Sequence, residues 1–210
     1  MRPGRSGILT GEGGRLQGIY PLNLDVASPP RVARWRPLVN WLLVVPHEIW
    51  LCVLTLGATV VAFLAWFAIL LGGRMPDSWS DYLMGVLRYQ WRVNAYLCAW
   101  TDVYPTFNPA AGHVDPGDYP AILYCARPLR RNRLTVLLRL FLLIPHYVVL
   151  YLLNFVASLA FLLAWFAVLL AGRWPDGLRR FCIGYFRWSV RVAAFGLLVV
   201  DDYPPFGFEP

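Results

Sequence analysis

The chain has 210 residues, 58% of them hydrophobic and only 15% charged. Soluble domains run near half apolar and about a quarter charged, so this balance excludes disorder, collagen-like repeats and a charged coiled coil, and points to a membrane protein. All 19 basic residues are arginine, against 12 acids, for a net charge of +7; with no lysine there is no Schiff-base nucleophile and no P-loop lysine.

Residues 1–19 are rich in Gly and Arg and lack the apolar core of a signal peptide, so they are expected to form a flexible cytoplasmic tail. Beyond them the chain is written twice. Sliding it by 99 residues matches 34 of 88 positions without a gap. Tyr20-Pro21 falls on Tyr119-Pro120, Pro46-His47 on Pro145-His146, and Asp102 with Tyr104-Pro105 and Phe107 on Asp201 with Tyr203-Pro204 and Phe206. The expected organisation is a tail (1–19), a first membrane repeat (20–107), a linker rich in Gly, Pro and Asp (108–118) and a second repeat with its C-terminal tail (119–210).

Each unit opens with a short extended Tyr-Pro segment, expected at the cytoplasmic face either as paired strands or as a clasp on the neighbouring unit. An arginine-rich stretch and a long apolar run follow. Between Glu48 and Arg74 lie 25 uncharged residues, about 37 Å as a helix and enough for one tilted span. The uncharged run Leu140–Gly172 is too long for one span, at about 49 Å. Pro46 and Pro145 are therefore expected to divide short interfacial helices (37–46 and 134–145) from spans over about 47–71 and 146–171. His47 and His146, each after a kink proline, are expected to bond a freed carbonyl such as that of Leu42 or Phe141. A b-type haem held by this histidine pair is the remote alternative.

The second helix of each unit, about 79–101 and 178–200, is long enough to cross and carries two arginines four apart. It either spans or lies flat in the interface, and in a re-entrant variant Gly57 and Asn154 sit near a hairpin tip. With two crossings per unit, eleven arginines share the side of both termini and the linker and four lie opposite, which makes the first side cytoplasmic. The expected fold is all-α, with two parallel repeats, four spans and an axis along the membrane normal. Trp35, Trp41, Trp50, Trp79, Trp100, Trp174 and Trp188 fit an interfacial belt.

These marks together resemble a bacterial integral-membrane family known as domain of unknown function 4389. The resemblance rests on YPLNLDV, VPHEIW, AWFAILLGGRMP, WRVNAYL and DVYPTF in the first unit. In the second it rests on YPAILYC, IPHYVV, AWFAVLLAGRWP, VRVAAFG and DDYPPF. It implies a membrane location and no activity.

Arg88, Arg92, Arg187 and Arg191 are the candidate binding residues. Spaced i, i+4 they share a helix face, and guanidinium forks suit the phosphates of anionic lipid headgroups. In the plainer reading each snorkels or pairs with a local acid such as Asp81, Asp102, Asp201 or Asp202. Ala65, Trp66, Phe67 and Ala68, with Ala164, Trp165, Phe166 and Ala167, are expected to pack helices. Asp201-Asp202 reads as a solvated tail and His113 as a linker residue without a partner. Cys52, Cys98, Cys125 and Cys182 have no metal or redox spacing. No catalytic, metal or nucleic-acid pattern emerges. The expected protein is a non-enzymatic accessory or scaffold subunit of the bacterial inner membrane, multi-pass with cytoplasmic termini, binding anionic lipid and a larger membrane complex. A small carrier of a lipid or hydrophobic anion at the repeat interface is the alternative.

Overall fold

A computed structural model describes residues 20–29, 31–128 and 131–209. The expected tail, with Arg2, Arg5 and Arg15, and Arg130 lie outside them. The elements in chain order are β1 (Leu22–Val26), α1 (Arg36–Gly72), α2 (Asp77–Leu97), β2 (Ala121–Cys125), α3 (Arg133–Ala171) and α4 (Asp176–Gly196). The protein is mostly helical, and the 99-residue repeat reappears as β1-α1-α2 and β2-α3-α4.

The long helices start and stop for local reasons. Pro37 occupies the first turn of α1, and Asn132 caps α3 by accepting from Leu134 N at 3.0 Å. Both helices end where Gly73 and Gly172 turn left-handed, with φ of 71° and 67°, and donate back to Ile69 and Val168. Pro76 and Pro175 then open α2 and α4, whose first residues Asp77 and Asp176 suit the positive helix end.

Neither proline divides a helix. The short interfacial helices 37–46 and 134–145 are replaced by α1 and α3 as unbroken helices of 37 and 39 residues, each about 55–60 Å long. One missing i−4 bond does not end a helix that is packed along its length. Beside each proline Tyr104 donates its hydroxyl to Leu43 O at 3.0 Å, and Tyr203 to Leu142 O at 3.3 Å. Gly57 and Asn154 likewise sit inside continuous helix, so no hairpin tip forms there.

Two of the four helices expected to span, α2 and α4, do not qualify as spans. Among the described residues only α1 and α3 are long and apolar enough to cross a membrane. Only 22% of each apolar window is buried, so neither is the core helix of a soluble domain. α2 and α4 run back along them and are largely enclosed.

The parallel arrangement is overturned as well. Trp66, near the end of α1, donates to Val136 O at the start of α3 (3.1 Å). Trp165, near the end of α3, donates to Pro37 O at the start of α1 (2.8 Å). The helices therefore lie side by side and antiparallel, and a pseudo-two-fold perpendicular to both relates the repeats. The packing role of the Ala-Trp-Phe-Ala runs takes shape here: Ala65 and Ala164 are fully buried and the indoles bridge, while Phe67 and Phe166 point outward.

The Tyr-Pro segments lead into a two-stranded antiparallel ribbon. Its central pair is Leu24 with Leu123, residues 99 apart, so the pseudo-two-fold passes through it. The ribbon closes symmetrically, with Ala27 N on Pro120 O (3.0 Å) and Ala126 N on Pro21 O (2.9 Å). A lone two-stranded ribbon is marginal, and this one is held because Leu22, Leu24, Val26, Ala121, Leu123 and Cys125 face the core. The strands are exchanged. Tyr119 of the second unit donates to Val103 O of the first (2.7 Å), and Tyr20 of the first to Asp202 O of the second (3.1 Å).

Candidate functional site

Arg88 and Arg92 lie on the α2 face that meets β2 and the linker. Arg88 is fully buried and each of its three nitrogens has a partner: Nε lies against Leu123 O (3.1 Å) and Asp115 Oδ2 (3.0 Å), Nη2 serves Gly112 O (2.9 Å), and Nη1 serves Ala110 O. Arg92 Nη2 bridges Asp115 Oδ1 (3.2 Å) and Asp118 Oδ1 (2.7 Å), and its guanidinium lies 5.3 Å from the Tyr119 ring centroid. The acids that hold this pair are thus Asp115 and Asp118, not Asp81, Asp102, Asp201 or Asp202. Asp115 is positioned for it by accepting from Leu123 N (2.8 Å) and Gly117 N (2.9 Å). Gly85 lets the linker approach: a Cβ there would meet Pro109 O at 3.0 Å.

The second pair has the same place and other partners. Arg187 donates to Phe208 O (2.8 Å) and reaches toward Leu24 O at 3.5 Å. Arg191 is 1% exposed, with the Tyr20 ring 5.2 Å from its guanidinium. Its Nε and Nη2, and Nε of Arg187, have no hydrogen-bond partner among the described residues.

Each histidine sits in an aromatic box of its own unit. His47 Nδ1 lies 2.5 Å from the Tyr89 hydroxyl, Phe107 stacks on its ring at 4.1 Å, and Tyr104 meets it edge-on. At His146 the donor is Trp188 Nε1, 3.1 Å from Nδ1, with Phe206 stacked at 4.0 Å and Tyr203 alongside. An indole N–H only donates, so His146 Nδ1 accepts. The expected bonds to Leu42 and Phe141 are replaced by these. The terminal Tyr-Pro-x-Phe motif is the wall of the box, and it holds each histidine within its own repeat. Among the described residues no cluster of His, Cys, Asp or Glu could hold a metal ion.

Several other residues take roles that were not expected. Asp201 accepts from Arg139 at 2.6 Å and from Asn132 N at 2.8 Å, so it is a fixed partner; Asp202 stays exposed. His113 is buried between Ser80 and the Cys125 carbonyl. Trp100 and Trp188 are buried in aromatic clusters and leave the belt, whereas Trp35, Trp41 and Trp50 are exposed. Arg36 and Arg139 counted in the sequence only among the eleven arginines of the cytoplasmic side, and Asn40 carried no signal.

One cavity of about 430 Å³ opens between the start of α1, the end of α2, the far half of α3, the turn that follows it and the middle of α4. Trp41, Phe161, Trp165, Trp174 and Phe186 line it.

No curated protein and no solved structure matches the chain. One family model does, that of the Domain of unknown function (DUF4389), over residues 34–108 and again over 133–207. Both matches begin after the exchanged strand and end at the Tyr-Pro-x-Phe wall, so the matched unit is the helical hairpin with its histidine box. The chain belongs to this family, as two tandem copies.

Proposed function

We propose that the protein is a non-enzymatic accessory or scaffold protein of the bacterial inner membrane, embedded from one side with α1 and α3 lying along the membrane plane. The observation that carries this reading is the separation of the two faces. The outer face of α1 exposes Leu38, Trp41, Val45, Val53, Leu56, Val60, Phe63, Phe67 and Leu71 along its whole length, and α3 does the same. The opposite face carries the ribbon and the linker, with Asp25 and Asp118 exposed.

Upright helices would set that ribbon, level with the middle of α2, at mid-bilayer depth. Irregular backbone and exposed carboxylates are not tolerated against hydrocarbon. Lying flat, the pseudo-two-fold follows the membrane normal, both units keep one orientation, and ribbon, linker and termini face the cytoplasm. The second layer, α2 and α4, then lies at headgroup depth, where amphipathic helices settle. The apolar face has room for a membrane partner as well as lipid.

Single-cysteine reporters at 74, 114 and 173, with the native cysteines replaced, test the placement with an impermeant maleimide. Labelling of all three from the cytoplasmic side is expected. Upright antiparallel spans would put 74 and 173 on opposite sides, and two parallel hairpins would put both opposite 114. Co-purification with a larger complex in gentle detergent tests the accessory role.

The carrier reading keeps one observation in its favour, the aromatic cavity of about 430 Å³ beside the exposed Trp41. It requires substrate-dependent flux in proteoliposomes.

A further inference from the structure

We propose that Arg187 and Arg191 form an oxyanion site that takes a phosphate group, and that the Arg88–Arg92 pair does not. The two pairs are the same residues at the same repeat positions, yet they differ in counter-charge. Arg88 and Arg92 share the carboxylate of Asp115, with Asp118 on Arg92. Arg187 and Arg191 make no ion pair among the described residues: Asp25 and Glu209 act on Arg187 only from a distance. Arg191 nevertheless is 1% exposed, and its Nε and Nη2 have no partner among the described residues, nor has Nε of Arg187; in the first pair only Arg92 Nε is so placed.

A buried guanidinium without a counter-ion is strongly unfavourable, so the second unit requires an anion where the first has Asp115. Three unused donors on two forks suit a tetrahedral group with several oxygens better than a single carboxylate. Tyr20 covers Arg191, and the half-buried Arg187 leaves the pair its opening. The phosphate could belong to a phospholipid headgroup or to free phosphate. The headgroup source rests on the membrane reading above; the free source does not.

The test uses the full chain, purified and stripped of lipid by detergent exchange. Inorganic phosphate is titrated against chloride at constant ionic strength while the Tm is followed. In a second arm phosphatidylglycerol and phosphatidylcholine are added back in equal amounts, and the lipid retained after washing is counted by native mass spectrometry. The expected results are a Tm rise of several degrees with phosphate, and phosphatidylglycerol retention that falls about tenfold in Arg187→Gln. Arg191→Lys keeps part of both, and covers the case in which Arg191→Gln does not fold. A phosphate response with no retained lipid assigns the site to free phosphate. Absence of both in the wild-type chain, or an Arg187→Gln variant that binds like wild type, overturns the proposal. So does a Glu12→Gln variant as destabilised in phosphate-free buffer as Arg191→Gln, because the chain's own carboxylate would then fill the site. If the cysteine reporters fall on opposite sides while the phosphate response persists, the membrane placement fails and the anion site stands.

Discussion

Arg139 meets the Asp201 carboxylate at 2.6 Å from a position one helical turn beyond that from which Arg36 meets Asp102 at 3.0 Å. The two aspartates are repeat equivalents; the two arginines are not. In the first unit Arg36 takes Asp102 and the Thr101 carbonyl, and Asn40 takes the Tyr96 carbonyl at 2.7 Å. In the second, Arg139 alone takes Asp201 and the carbonyls of Phe195 and Val200, the counterparts of those two carbonyls. One buried arginine does the work of an arginine and an asparagine. Arg139→Gln is expected to cost about 3 kcal/mol, because it leaves a mostly enclosed carboxylate and two carbonyls without their donor. Arg36→Gln, opposite a half-exposed Asp102, should cost under about 1 kcal/mol from the ion pair. Thr135→Arg with Arg139→Asn rebuilds the first unit's arrangement and should recover more than half of the loss. Denaturant unfolding in detergent reads all three, and a double variant no better than Arg139→Gln would refute the equivalence.

The first arginine pair gives a contrast between two acids of one loop. Asp115 is 7% exposed and touches Arg88 and Arg92, whereas Asp118 is 56% exposed and touches Arg92 alone. Asp115→Asn strands a fully buried guanidinium and should destabilise by about 3 kcal/mol. Asp118→Asn should cost under about 1 kcal/mol, and less still at high salt. Equal losses in thermal unfolding would show that Asp115 is not the counter-ion.

The repeat itself was legible, because each unit reuses the same punctuation: Tyr-Pro, Pro-His, Gly-Arg-x-Pro. Periodicity and composition also located α1 and α3. What could not be read was direction. A repeat in sequence is silent on whether its copies meet parallel or antiparallel, and that choice rests on two long contacts, Trp66 to Val136 and Trp165 to Pro37. Division of the helix at Pro46 was a local inference, and α1 runs through it, packed against α2 and α3. The arginines were found from their spacing, but Asp115 and Asp118 lie in a loop whose composition only said that it turns. Charge alone could not separate the neutralised pair from the other.

Gly57 shows how the two copies diverged in step. A Cβ at Gly57 would come within 2.5 Å of the Tyr82 hydroxyl, which donates to Leu54 O at 3.0 Å. The second unit has Val156 and Phe181 at these positions, a side chain where the glycine was and no hydroxyl to meet it. Gly57→Ala should therefore cost about 1–3 kcal/mol by overpacking. Tyr82→Phe alone should cost about 1 kcal/mol for the lost hydrogen bond. Together they should cost less than Gly57→Ala alone, a coupling of opposite sign that a double-mutant cycle in detergent measures. Additive losses would mean that the hydroxyl is not what excludes the methyl group.

His113 ties the linker to α2 and should make stability depend on pH. Its Nδ1 donates to the Cys125 carbonyl at 3.1 Å, so the neutral ring accepts from the Ser80 hydroxyl at Nε2, 2.8 Å away. Burial holds the imidazole below its ordinary value, and the nearby Arg127 and Arg131 add to this; the Cys125 bond and Asp81 pull the other way. The folded-state pKa thus lies below the unfolded one. Above about pH 6.5 both states are neutral and the histidine imposes no pH dependence. As the pH falls through that value the unfolded chain takes up a proton first, and stability drops until the folded state protonates too. His113→Gln, which can still donate to Cys125 O, should flatten this stretch of the stability profile while leaving the alkaline side little changed. Unfolding midpoints measured between pH 4.5 and 8, as an order-of-magnitude window around the ordinary histidine value, decide it. An unaltered acid limb in the variant would assign the sensitivity to other groups.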